Sequence, residues 1–180
     1  MNTPRRGGSR TALTTPRRRN TLRLPTWDYA EHGYYFVTIV AQHRELLFDD
    51  SALRGIVDGS WRWLAQNYDH VELDEYVVMP NYLHGIVILR RDVVPGRSRT
   101  APTPKPLGRL IGAFKTVSRK AINELRKTPG ATVWQRNCHD RIVRDDRELD
   151  AVRQYIRDNP AKWELDPENP GRSSGLAPPP

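Results

Sequence analysis

The chain has 180 residues, 37% of them apolar and 28% charged, with a formal net charge of +8. That is enough material for one domain with a buried core. No apolar run approaches the roughly 18 residues that span a bilayer, and the basic N-terminus has no apolar stretch of the secretory kind. The single cysteine, Cys138, excludes an internal disulfide, so a cytoplasmic protein with no membrane partner is expected.

Residues 1–20 lack apolar periodicity and read as a disordered basic arm. A single domain is expected over 21–163, with a flexible linker near 90–106 (RRDVVPGRSRTAPTPKP) and a disordered Pro/Gly-rich tail over 164–180. Within the domain, YYFVTIVAQ (Tyr34–Gln42) is aromatic and β-branched and predicts a strand. From Asp50 to Asn67, Leu53, Ile56, Val57, Trp61 and Leu64 fall at helical spacing. HVELDEYVVMP and YLHGIVILR predict two antiparallel strands joined around Pro80-Asn81.

After the linker, Leu107, Leu110, Ile111, Phe114, Val117, Ala121 and Leu125 mark a long amphipathic helix. TVWQRNCHDRIV predicts a strand followed by a turn. A last helix spans roughly Asp146–Asp158, with Leu149, Val152 and Ile156 inward and Asn159-Pro160 as its stop. The order β-α-β-β-α-β-α predicts an α+β fold, an antiparallel sheet with helices packed on one face, of ferredoxin-like type.

The charge is unevenly placed. Seven arginines (Arg5, Arg6, Arg10, Arg17, Arg18, Arg19, Arg23) lie in residues 1–27 with no acid, leaving 22 basic against 21 acidic residues elsewhere. A second excess, including Lys105, Arg109, Lys115, Arg119 and Lys120, lies in 105–127 against Glu124 alone. Two basic segments on a balanced body suggest a polyanion partner, nucleic acid before plain solubility.

Two short patterns carry candidate chemistry. In VVMPNYLHGIV, Tyr82 and His84 are two apart on a strand, so they share a face, and Leu83 takes the other. In QYIRDNP, Tyr155 and Asn159 are one helical turn apart, beside the core stripe. Each has a plainer reading: His84 as a hydrogen-bonded core histidine, Tyr155 as a core border and Asn159 as a helix end.

Taken together, MPNYLHGIV, GAFKTVSRKAINEL, VWQRN and RQYIRDNP resemble the single-tyrosine HUH transposases of bacterial insertion sequences, in particular the REP-associated tyrosine transposases. The resemblance runs from about Arg17 to Pro160. It implies an HUH-nuclease fold, binding of single-stranded hairpin DNA, and cleavage and rejoining through a 5′-phosphotyrosine. The nucleophile would be Tyr155. Magnesium or manganese would be held by two strand histidines and a polar helix residue, which by position are Tyr82, His84 and Asn159. Arg17, Arg18, Arg19, Arg109, Lys115, Arg119 and Lys120 would hold DNA phosphates. The protein would act as a monomer or homodimer.

Tyr82 stands where the pattern has its first histidine, and a neutral phenol is a poor magnesium ligand. Weakened cleavage and a weakly held metal are therefore expected, and a hairpin-binding relic without cleavage is the alternative. Nothing in the spacing supports His139 or His70 as a replacement ligand, and Cys138 is not expected to be a nucleophile. HGYYFVTI (His32–Ile39) also approaches the RNP1 pattern of RNA-recognition modules, without its leading cation or last aromatic. Among the tryptophans, Trp61 belongs to the core stripe, while Trp63, Trp134 and Trp163 are candidates for base stacking.

Overall fold

The structure is a computed structural model that describes residues 32–90, 105–167 and 169–171. The expected arm with Arg17, Arg18 and Arg19, most of the linker and the end of the tail lie outside the described residues. In chain order the elements are β1 (Gly33–Val40), α1 (Ser51–Asn67), β2 (Val71–Met79), β3 (Tyr82–Leu89), α2 (Leu107–Arg126), β4 (His139–Val143) and α3 (Asp146–Asp158). The sheet order is β2-β3-β1-β4 and every pairing is antiparallel. This is the expected ferredoxin-like arrangement, with α1 and α2 on one face as expected and the last helix, α3, on the other.

Strand β1 shows why the sheet has two different faces. Tyr35, Val37 and Ile39 are fully buried in the main core with α1 and α2. Tyr34, Phe36 and Thr38 alternate to the opposite face, as a period of two requires. α1 starts at Asp50, whose carboxylate accepts from the backbone N–H of Ala52 at 2.8 Å and of Leu53 at 3.2 Å. Trp61 meets Phe114 of α2 edge-on at 5.4 Å and lies over Gly85, where a Cβ would come within 2.7 Å of the indole. A side chain at 85 would push the helix off the sheet.

α3 packs on the opposite face through Leu149, Val152 and Ile156 against Ile86 and Val143. Its helical period and its cap are both local: the Asp145 carboxylate accepts from Glu148 N–H at 2.8 Å, and Glu148 Oε2 accepts from Arg144 N–H at 2.9 Å. The apolar cluster under α3 is small, and charge supplements it. Arg153 donates to Asp74 Oδ2 at 2.6 and 3.0 Å and to its Oδ1 at 3.3 Å, and Arg157 donates to Glu75 at 2.6 Å. Asp74 and Glu75 sit at a register shift of β2 between Leu73 and Tyr76. An irregular strand lets two consecutive carboxylates reach the same helix, which a regular strand does not.

Three segments differ from expectation. The last strand is the end of TVWQRNCHDRIV, and Trp134 forms only an isolated bridge with Ala41. The start of that segment is fixed instead by side chains, with Trp134 Nε1 donating to buried Ser118 Oγ at 2.9 Å. β1 is followed by two short 3-10 helices, Gln42–Arg44 and Leu47–Asp49. Residues 164–166, expected in the tail, pack with the domain: Pro160–Leu165 is a 3-10 helix and Asp166 contacts Tyr82.

Candidate active site

The α3 face of the sheet gathers the candidate residues in cross-strand rows. Thr38 of β1 lies opposite His84 of β3 on one side and His139 of β4 on the other. One row along, Val40 lies opposite Tyr82. Directly opposite residues of neighbouring strands share a face, so register alone assembles Thr38, His84, His139 and Tyr82. α3 then lays Tyr155 over this row, and the chain just after it supplies Asn159 and Asp166.

His84 is 5% exposed, and both ring nitrogens are engaged: Nδ1 with Thr38 Oγ1 at 2.8 Å and Nε2 with the Tyr155 hydroxyl at 3.3 Å. Burial pushes its pKa down to about 4, against a smaller opposing pull from Asp166. The imidazole is therefore neutral near pH 7. In the tautomer that donates Nδ1–H to Thr38, Nε2 is an acceptor aimed at the Tyr155 O–H. Tyr155 itself is 47% exposed. An exposed phenol against an oriented neutral base is an arrangement able to attack an electrophile.

Tyr82 is fully buried, with its ring 4.5 Å from that of His84 and 6.0 Å from Trp163. Its hydroxyl contacts Asn159 Oδ1 and lies 2.5 Å from Asp166 Oδ2. One phenolic proton is shared between two acceptors. Burial first, and the Asp166 carboxylate second, raise its pKa, so it stays a neutral phenol. Asn159 is 3% exposed and is held by this contact.

The donor set bears on the metal that the resemblance implies. Magnesium and manganese favour oxygen ligands, carboxylates above all, in a regular octahedron. Here the phenol is protonated and bonds to Asn159 and Asp166, while both nitrogens of His84 already have partners. Among the described residues, no group of three or more His, Cys, Asp or Glu side chains could hold a metal ion. As arranged, with Tyr82 a neutral phenol, these residues do not form the two-histidine set that the resemblance implies.

The basic residues expected to hold DNA are placed elsewhere. Arg109, Arg119 and Lys120 are exposed on α2, in the layer on the other side of the sheet. Arg119 and Lys120 share a cavity of about 500 Å³ with Lys127 there. Lys115 is not a free surface cation. Its Nζ donates to the carbonyls of Gln135 and Asn137 at 2.8 and 2.9 Å, and burial lowers its pKa. It ties α2 to the loop before β4. Of the tryptophans, Trp61 and Trp134 are buried, and partly buried Trp163 packs near Tyr82.

Sequence reasoning missed Thr38 and Asp166. Thr38 is two residues from Phe36 on a strand already predicted, and only the register shows that it faces His84. Asp166 lies in a segment read as loose tail. A cavity of about 610 Å³ opens beside Tyr155, bounded by β1, β4 and α3.

No family model matches the chain. A protein of Haemophilus influenzae described as uncharacterized is 29% identical over 164 residues, covering 82% of this chain and 91% of that one. A solved structure of the REP-associated tyrosine transposase bound to a REP hairpin aligns with a TM-score of 0.54 and 16% identity, over 85% of this chain and 80% of that one. The two chains share a fold. A transposase candidate of Deinococcus radiodurans R1 aligns at a TM-score of only 0.42 and 17% identity, a similarity too weak to define one. No helix among the described residues is long and apolar enough to cross a membrane.

Proposed function

We propose that this chain is a transposase-type protein that binds single-stranded DNA carrying an imperfect hairpin, with Tyr155 as nucleophile toward a DNA phosphodiester. The observation that carries the reading is the line Thr38–His84–Tyr155, in which a buried neutral imidazole faces an exposed tyrosine hydroxyl at 3.3 Å. The shared fold with a hairpin-bound transposase supports it, and so does the basic arm. In this reading the Tyr155 hydroxyl passes its proton to His84 Nε2 as its oxygen bonds to phosphorus, and the bond from phosphorus to the 3′-oxygen breaks, that oxygen taking a proton from water. A 5′-phosphotyrosine then conserves the bond for rejoining without a nucleotide cofactor. Arg109, Arg119 and Lys120 contribute phosphate contacts that reach the site only around the sheet margin.

Cleavage is slow in this proposal, because the Tyr82 phenol fills the place where a second histidine would bring a metal ion to stabilise charge on the phosphate. A second reading, a hairpin binder without cleavage, is favoured by the same contact of Tyr82 with Asn159 and Asp166. An RNA-recognition module is disfavoured: such modules stack a run of bases across the open face of their sheet, and here α3 packs on that face and leaves Phe36 open only at the cavity.

The test is covalent attachment. Labelled single-stranded hairpins from the DNA flanking the gene are incubated with manganese and the parent, Tyr82→His or Tyr155→Phe, then run on a denaturing gel. A weak parent band, strengthened by Tyr82→His and abolished by Tyr155→Phe, is expected. Hairpin binding with no band in any variant establishes the binder. A parent band that survives Tyr155→Phe would falsify the nucleophile assignment.

A further inference from the structure

The cavity beside Tyr155 is larger than one phosphate requires, and its walls have a chemistry of their own. Phe36 is partly buried at its base, and the Tyr155 ring meets it edge-on at 6.1 Å and 84°. The Arg141 guanidinium stands over the same ring, 5.8 Å from its centre, on a side chain 58% exposed. Glu148 Oε1 lies 3.5 Å from Arg141 Nη1, and exposed His139 is at the rim. A ring below, a movable planar cation above and a carboxylate at the side match a flat heteroaromatic ligand. Such a ligand needs a π face to stack, lone pairs for the guanidinium and amino groups for the carboxylate. Nucleobases carry all three.

We propose that this cavity seats one unpaired nucleobase of the strand adjoining the phosphate that Tyr155 attacks, stacked on Phe36 beneath Arg141, whose exposed side chain lifts from its 5.8 Å above the ring to about 7 Å to admit it, with Glu148 accepting from its exocyclic amino group. This rests on the single-stranded DNA reading above and adds to it a site of base selection. Adenine, cytosine and guanine offer Glu148 an amino group; thymine offers only its ring N3–H, flanked by two carbonyls that repel the carboxylate. Glu148 retains the capacity, because a carboxylate has about four lone-pair directions and the Arg144 N–H occupies one.

The experiment measures binding of fluorescent hairpin oligonucleotides, tiled from the DNA flanking the gene, by fluorescence anisotropy. Each unpaired position beside the hairpin is replaced in turn by an abasic site and by each base. At one position, the abasic site is expected to weaken parent binding by about tenfold, the contribution of one stacked base, and thymine is expected to bind more weakly than the other three. Phe36→Leu and Arg141→Gln should each erase most of that abasic penalty. Glu148→Gln, whose side-chain carbonyl can still accept from Arg144 N–H, should abolish the bias against thymine and keep the penalty. Arg141→Gln alters an exposed side chain, so the test does not depend on Phe36→Leu folding. The proposal is overturned if no single position responds, or if the penalty is the same in the parent and both variants. If the parent binds no hairpin oligonucleotide, the DNA reading fails first and takes this site with it.

Discussion

Replacing Tyr82 with phenylalanine isolates the contact that sets this site apart. The ring stays, so no cavity opens, and only the hydroxyl shared by Asn159 and Asp166 is lost. Asn159 is buried, and leaving one buried amide oxygen without its partner costs about 1–3 kcal/mol. Asp166 is only partly buried and regains water, which offsets part of its own loss. The net expectation is a destabilisation of about 2 kcal/mol, or roughly 4–8 °C in Tm for a chain of this size. The assay is urea unfolding followed by tryptophan fluorescence, in which Trp163, 6.0 Å from the Tyr82 ring, is a local reporter. Asp166→Asn and the double variant complete a cycle, with a coupling of at least about 0.5 kcal/mol expected. A Tyr82→Phe protein as stable as the parent, or strictly additive single changes, refutes the argument that this hydroxyl secures the chain after α3.

His84 makes stability pH-dependent. Its folded pKa of about 4 lies below the unfolded 6.5, so between these values the unfolded chain binds more protons. Stability should hold above pH 6.5 and fall on the order of 3 kcal/mol as pH drops to 4. In urea titrations at stepped pH, His84→Gln should flatten that slope, and an unchanged slope would contradict the burial argument. Asp74→Ala removes a partly buried bidentate partner of Arg153 and should cost about 1–2 kcal/mol. That cost should largely vanish in an Arg153→Met background, measured by the same unfolding titration. Gly85→Ala places a methyl against Trp61 and should cost about 1–3 kcal/mol by overpacking, read as a lower urea midpoint with an unchanged m-value.

Much of this architecture is legible in the residues. The α3 limits follow from Asp145 as a cap, the Leu149–Val152–Ile156 stripe and the Asn159-Pro160 stop, all local signals. The common face of Tyr82 and His84 follows from strand alternation alone. What stays hidden depends on distant partners. Thr38 meets His84 through the β1–β3 register, which no window of sequence contains. Lys115 has the look of a surface cation on an amphipathic helix, and only the loop carbonyls of Gln135 and Asn137 give it another use. Asp166 lies among prolines and polar residues, the composition of a loose end, and gains a structural role through its contact with the Tyr82 hydroxyl, 84 residues earlier. For β4, TVW has the stronger β propensity and draws the expected strand to itself, while pairing with β1 selects the more polar HDRIV.

The position of β4 has a further consequence. It is the last strand of the sheet, and the side chains around the cavity mouth, His139, Arg141, Ala151 and Tyr155, are exposed. The hollow therefore opens sideways, like a notch and unlike a tunnel. Under the function proposed above, a nucleic-acid chain would be laid in from the flank and would need no terminus to thread. A continuous strand, or a closed circle with a hairpin extruded from it, meets the same geometry as a short oligonucleotide.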